Sequence, residues 1–281
     1  MVASPGPTSP PANDVEQRLR ARLAALPSAV VALSGGVDSS VLAALAALEL
    51  GSRALAVTGV SPSLSTSELT AIEGFCKERG LAHVAVDTRE LERPGYVENS
   101  PDRCYHCKTE LFTVLARVAR DRGVGPVIEG TNADDLSGHR PGRRAAAELG
   151  VLSPLVEVGA TKADVRAIAR RLGLSNAERP SSPCLSSRIA YGISVTPERL
   201  ERVGRAEAAL KARGFPELRV RLHGDIARIE VPRRDLVRVS EQADAIVAEL
   251  RALGFVWVTL DLAGLRSGSL LEVLRDPSGQ G

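Results

Sequence analysis

The chain has 281 residues, 44% hydrophobic and 25% charged, with a formal net charge of +2, the balance of a globular protein of about two domains. That charge argues against a broad nucleic-acid surface, which works by displacing counterions from phosphates. An aromatic content of 3% argues against stacking platforms for single-stranded bases.

The proline-rich start, residues 1–13, has neither the cationic start nor the apolar stretch of a signal peptide and reads as a disordered tail. The longest apolar run, Val41–Leu50, is interrupted by Glu49 and falls short of the ~18 residues of a membrane helix. Asp14 can cap a helix running to about Leu26. Ala29–Leu33 has the pattern of a buried strand, ending abruptly at Ser34-Gly35-Gly36. Helices are expected at Ser39–Leu50, Ser67–Arg79, Thr109–Arg122 and Lys162–Leu172, and strands at Arg53–Val60, Ala82–Val86 and Val127–Glu129. This alternation predicts an α/β domain over residues 14–180, a parallel sheet with helices on both faces and ligands at the carboxyl ends of its strands. Pro180, Pro183 and several serines break the rhythm, so residues 181–194 read as a linker and active-site loop. Residues 195–281 read as a small α+β domain. Its first helix is capped by the box Thr196-Pro197-Glu198-Arg199 and ends at Gly214. Strands follow at Leu218–Leu222, Ile226–Val231 and Val256–Leu260, with a helix from about Ser240 to Leu253.

The strongest local signal is Ser34-Gly35-Gly36-Val37-Asp38-Ser39-Ser40, in the first strand–helix turn. Glycines allow a sharp turn and close approach to a ligand, and the N–H groups at the helix start form an anion site. Ser34, Gly35, Gly36, Asp38, Ser39 and Ser40 are therefore candidates for binding phosphates, with Asp38 orienting a metal ion. No Walker lysine is present, so γ-phosphate transfer is not the natural reading. Thr161 and Asp164 suit a helix-capping box, and Lys162 between them faces either phosphate or solvent.

Of four cysteines, Cys76 on a helix reads as a small buried hydrophobe. Four in a chain of this length do not suggest a disulfide scaffold, and a reducing, cytoplasmic location fits. Cys104 and Cys107 form a C-x-x-C in a loop before a helix, compatible with a redox dithiol, half a zinc site completed by His106 or Cys76, or part of an iron–sulfur site. Cys184, flanked by serines and Arg188, is the sharpest position in its loop. Arg219 and Arg221 alternate on one strand and so share a face. With Arg266, Arg188 and Arg140 they are candidates for an anionic ligand, since a guanidinium fork pairs well with phosphate or carboxylate. Glu230 on the neighbouring strand is a weaker candidate for a metal ion.

The string Ser34–Ser40 resembles the SGGxDS signature of the PP-loop ATP pyrophosphatases, which cleave ATP between its α and β phosphates. In that superfamily the end of the second strand, here Val57–Ser63, meets adenine or ribose, and Ser153–Arg166 resembles its second shared segment. Arg103–Lys108, Gly130–Asp135, Arg140–Gly142, Pro183–Ile189, Arg219–Arg221 with His223–Asp225, and Gly264–Ser269 look like the LarE family of ATP-dependent sacrificial sulfur transferases. The resemblance implies ATP with Mg2+ and a pyridinium-3,5-biscarboxylic acid mononucleotide, whose carboxylates are adenylated and turned into thiocarboxylates for nickel-pincer nucleotide synthesis. In one branch the cysteine matching Cys184 gives up its own sulfur and becomes dehydroalanine. In another, cysteines matching Cys104, Cys107 and Cys184 hold a 4Fe-4S cluster that carries the sulfide; the presence of all three favours that branch. The resemblance also implies a homo-oligomer, with no nucleic-acid or membrane partner. The alternatives are a PP-loop tRNA thiolase, disfavoured by charge and composition, an ammonia-using ligase, which leaves the cysteines unexplained, and a nucleotide sensor without catalysis.

Overall fold

A computed structural model of the chain describes residues 12–137, 141–179, 183–266 and 268–274. Arg140, Pro180 and Ser267 lie outside the described residues, as does the expected tail up to residue 11. The first helix, Ala12–Ala24, puts Asp14 in its first turn rather than at the cap, where a carboxylate also favours the helix dipole. The chain divides into two compact units: the described residues of Met1–Val60, Thr66–Thr88 and Cys107–Ser182, and those of Ser61–Ser65, Arg89–His106 and Pro183–Gly281.

The first unit is built on a parallel sheet of β1 (Ala29–Ala32), β2 (Ala54–Val60), β3 (Ala82–Asp87) and β4 (Val127–Ile128). Their order is β3-β2-β1-β4, with Val30 in register with Leu55 on one side and Val127 on the other. All four residues of β1 are buried, as expected of a strand covered on both faces. Leu19 and Leu23 of the first helix, Val41, Leu42 and Leu45 of the Val37–Leu50 helix, and Val165 and Ile168 of the Lys162–Arg171 helix share one apolar core. The chain leaves β1 toward β2 and later returns to its other side as β4. The crevice beyond the carboxyl ends of β1 and β4 is thus the switch point where such sheets bind ligands.

The second unit carries β5 (Arg219–His223), β6 (Ile226–Glu230) and β7 (Trp257–Leu260), in that order. β5 and β6 form an antiparallel hairpin; β7 runs parallel to β6. The Pro197–Ala212 helix buries Leu200, Val203, Ala206 and Leu210.

Three local expectations change. The helix expected from Thr109 starts at Arg103 and ends at Asp121, so Cys104 and Cys107 stand in its first turn rather than in a loop. Its start is built by Ser100-Pro101-Asp102, with Arg103 N–H donating to the Ser100 carbonyl at 2.9 Å and Tyr105 N–H to that of Asp102 at 2.8 Å. The helix expected over Ser240–Leu253 is two helices, Leu236–Glu241 and Ala243–Ala252, parted where Gln242 leaves helical geometry at ψ 15°. Thr196 does cap its helix, accepting from Arg199 N–H at 3.3 Å. The box is half-made, because an arginine at that position returns no acceptor to the cap.

Candidate functional site

In the first unit, the turn after β1 is held by its own short side chains. Ser39 Oγ accepts from Ser34 N–H at 3.2 Å and donates to the Gly36 carbonyl at 3.0 Å. Gly35 has φ +74°, and a Cβ there would fall 2.9 Å from Ile72 Cγ1, so glycine is required on both counts. Gly36 caps the Val37–Leu50 helix with no side-chain hydrogen bond, which leaves the first-turn N–H groups to an anion. Gly130, after β4, packs on this loop so closely that a Cβ would lie 2.8 Å from Ser39 N. The Gly130–Asp135 motif therefore reaches the helix start. Asn132 Nδ2 donates to Asp38 Oδ1 at 2.9 Å, and Lys162 Nζ donates to Asp38 Oδ2 at 2.5 Å. Lys162 thus faces the loop. The Thr161–Asp164 box holds it there, with both hydrogen bonds present, while Lys162 N–H donates to Asp134 Oδ2 at 2.8 Å. Asn176 Nδ2 donates to the Gly35 carbonyl at 3.1 Å and to Ser40 Oγ at 2.9 Å.

In the second unit, Cys184 is exposed while the residues around it are pinned. Leu185 N–H donates to the Ser63 carbonyl at 3.1 Å, and Ser63 is itself tied to the buried Glu90 at 3.1 Å. Ser186, fully buried, bonds Tyr96 through its hydroxyl and accepts from Arg103 Nη1 through its carbonyl at 2.8 Å. Arg188 is 2% exposed and forks onto Glu207 at 2.8 and 3.3 Å, its other arm reaching the Pro183 carbonyl at 2.6 Å. Arg221 forks onto Glu230 Oε2 at 3.0 and 2.9 Å and donates to the Ser187 carbonyl at 2.9 Å. Glu230, at 0% exposure, also takes Arg228 at 2.9 Å and Ser269 at 2.7 Å. Its oxygens are occupied by protein cations and a hydroxyl. Arg221 stands directly opposite Arg228 across the hairpin, a like-charge pair that the shared carboxylate offsets.

The asparagine synthase family matches residues 13–191. A pyridinium-3,5-bisthiocarboxylic acid mononucleotide synthase of Lactiplantibacillus plantarum is 36% identical over 91% of this chain and 93% of its own. The chain belongs to the LarE family of PP-loop sulfurtransferases. An uncharacterized protein of Synechocystis sp. is 43% identical over 92% of this chain and 97% of its own. A tRNA-specific 2-thiouridylase of Synechococcus sp. is 32% identical, over 59% of this chain and 54% of its own.

For a LarE-family enzyme the remaining candidates fall into two settings. Arg188 and Arg221 turn inward and build the cysteine loop. Arg219 is only half-buried; burial first, then the neighbouring Arg188 and Arg221, push its pKa down to about 10 against the opposing pull of Glu207 and Glu230. Arg266 meets Glu272 at 3.3 Å and Asp261 at 3.6 Å on the exposed side. Cys76 is buried, its pKa raised to about 11 by burial and by Glu73, so it is inert as expected. His106 lies so close over Gly95 that a Cβ there would overlap its Nε2. Among the described residues no three of His, Cys, Asp and Glu gather to hold a metal ion. No described helix is long and apolar enough to cross a membrane. Sequence reasoning missed Asn176, Glu90, Asn99 and Tyr96, and named Asn132 only as part of the Gly130–Asp135 string. It also missed Glu207, whose signal was an acid interrupting the apolar stripe Leu200, Val203, Leu210.

Proposed function

We propose that this enzyme uses ATP to adenylate the carboxylates of pyridinium-3,5-biscarboxylic acid mononucleotide and exchanges oxygen for sulfur, forming thiocarboxylates for the nickel-pincer nucleotide. The observation that carries this reading is an exposed cysteine on a loop immobilised residue by residue, in a chain that also has an uncapped PP-loop with Asp38 and Lys162 beside it.

The phosphates of ATP lie along Ser34, Gly35, Gly36, Ser39 and Ser40, met by backbone N–H groups and hydroxyls. Asp38 fits Mg2+, which is usually held by one or two carboxylates together with substrate phosphates; bound there, the ion neutralises phosphate charge. A substrate carboxylate oxygen attacks the α-phosphorus, and pyrophosphate leaves. AMP is then a far better leaving group than oxide. Cys184 Sγ attacks the acyl carbon and AMP departs, giving a thioester. Loss of the Cys184 Cα proton with cleavage of its Cβ–S bond releases the thiocarboxylate and leaves dehydroalanine, so each chain delivers one sulfur. Arg219 and Arg266 receive the substrate's phosphate and second carboxylate, while Arg188 and Arg221 keep Cys184 in place. Cys104, Cys107 and Cys184 would be the residues to hold a 4Fe-4S cluster, which would supply the sulfide in place of the Cys184 sulfur. A reducing cytoplasm keeps the thiol free, and exposed Val256, Trp257 and Leu262 at the edge strand β7 support a homo-oligomer.

Incubation with ATP and the mononucleotide tests the reading: AMP and pyrophosphate are expected only when both are present. Formation of ADP, or equal turnover with bulk tRNA in place of the mononucleotide, would overturn it.

A further inference from the structure

Asn99 is the only non-glycine residue with positive φ among the described residues, at 56°, and it is fully buried. Asparagine tolerates this conformation better than most residues, yet it persists only where the surroundings over-determine it. Here they do. Its Nδ2 donates to the carbonyls of Ile189 at 3.2 Å, Ala190 at 2.8 Å and Ile193 at 2.8 Å. Its Oδ1 accepts from Arg103 Nη1 at 2.5 Å, and the same nitrogen donates to the Ser186 carbonyl at 2.8 Å. One side-chain pair thereby grips the chain on the far side of Cys184 at residues 186, 189, 190 and 193. Arg103 also immediately precedes Cys104, so the segment that carries one cysteine holds the loop that carries the other.

Arg103 is 5% exposed, and among the described residues no carboxylate pairs with it. Burial alone would lower its pKa, but Cys184 and Cys104, followed by Tyr191 and Tyr96, raise it overall. Its guanidinium carbon also lies 5.9 Å from the Tyr191 ring centroid. A buried arginine without a carboxylate is costly to keep, and the groups this one bonds are the Ser186 carbonyl and the Asn99 amide oxygen.

We propose that Arg103, braced by Asn99, is a positioning residue for sulfur delivery, fixing the Cys184 loop at the place where the adenylated carboxylate must meet the sulfur. This rests on the sulfur-transfer reading above. It separates two half-reactions that a general loss of fold would lower together, because adenylation needs the phosphate loop and not the latch.

Arg103→Met is expected to slow sulfur transfer about a hundredfold while leaving pyrophosphate formation within about threefold of the parent, the scale on which small misplacements act. Arg103→Lys should recover about a tenth of the lost rate, through its charge and single donor group. Asn99→Gly keeps the backbone conformation and deletes only the amide, so it serves where Arg103→Met folds poorly. Hydrogen exchange, read without any turnover, should accelerate in peptide 183–193 of both Arg103→Met and Asn99→Gly and stay unchanged in peptide 34–40. Unchanged exchange in 183–193, sulfur transfer close to parental, or equal loss of both half-reactions would each overturn the proposal. A parent protein that makes no pyrophosphate would instead sink the functional reading, and the exchange data would still decide whether the latch exists.

Discussion

The phosphate loop and the cysteine loop are both short, serine-rich turns, and they are immobilised in opposite ways. The first takes its backbone shape from within, Ser39 bonding both Ser34 and Gly36, while Asn132, Lys162 and Asn176 hold Asp38 and the Gly35 carbonyl, and the functional groups left over are backbone N–H groups. The second is fixed from outside by Ser63, Tyr96, Arg103, Glu207 and Arg221, and what is left over is one thiol. An anion site asks only for a backbone shape, which a local string can encode. A nucleophile that must meet one carbon atom asks for a fixed position, which takes buried partners from across the unit.

The contrast breaks most sharply at Cys184. Cys184→Ser should abolish thiocarboxylate formation and leave substrate-dependent pyrophosphate release intact, measured by product chromatography and a pyrophosphate assay. Next in size, Asp38→Ala should lower both half-reactions together by about a hundredfold or more, the usual scale for a lost electrostatic contact to a reacting group; initial rates at saturating ATP would check this. Glu207→Ala removes the partner of buried Arg188 and the acceptor of Val220 N–H at 3.2 Å. Denaturant melts should show a loss of about 3 kcal/mol or more, as for other broken buried ion pairs. Thr161→Ala deletes one cap and should cost about 1 kcal/mol.

A smaller effect concerns pH. The Cys76 thiol has its pKa raised from 9.0 to about 11 in the fold, so the folded state holds its proton where the unfolded chain releases it. That contribution is complete below pH 9 and is lost as pH climbs toward about 11. Thermal melts of Cys76→Ala should therefore show a flatter alkaline limb than the parent. Iodoacetamide should label exposed Cys104 and Cys184 in the native protein, and Cys76 only after unfolding.

The parallel sheet and the phosphate loop were legible because their signals are local: β1 is an unbroken apolar run, and the glycines, serines and Asp38 follow it without interruption. Asn176 stayed hidden, and Asn132 stood in a named string without its partner, because their hydrogen bonds reach Gly35 and Asp38 across 141 and 94 positions, and no periodicity marks such pairs. Arg188 and Arg221 were legible as important but not as inward-facing, since an arginine on a strand or turn looks alike whether its carboxylate is a substrate or Glu207. The helix start at Arg103 was misjudged because Cys104 and Cys107 read as loop chemistry, while the turn that starts the helix lies just before them, in Ser100-Pro101-Asp102.

The central claim is that the transferred sulfur is that of Cys184, and peptide mass mapping after a single turnover tests it most directly. The account predicts that the peptide containing Cys184 loses the mass of hydrogen sulfide in proportion to thiocarboxylate formed, with Cys104, Cys107 and Cys76 unchanged. Thiocarboxylate formed while Cys184 remains intact would contradict it.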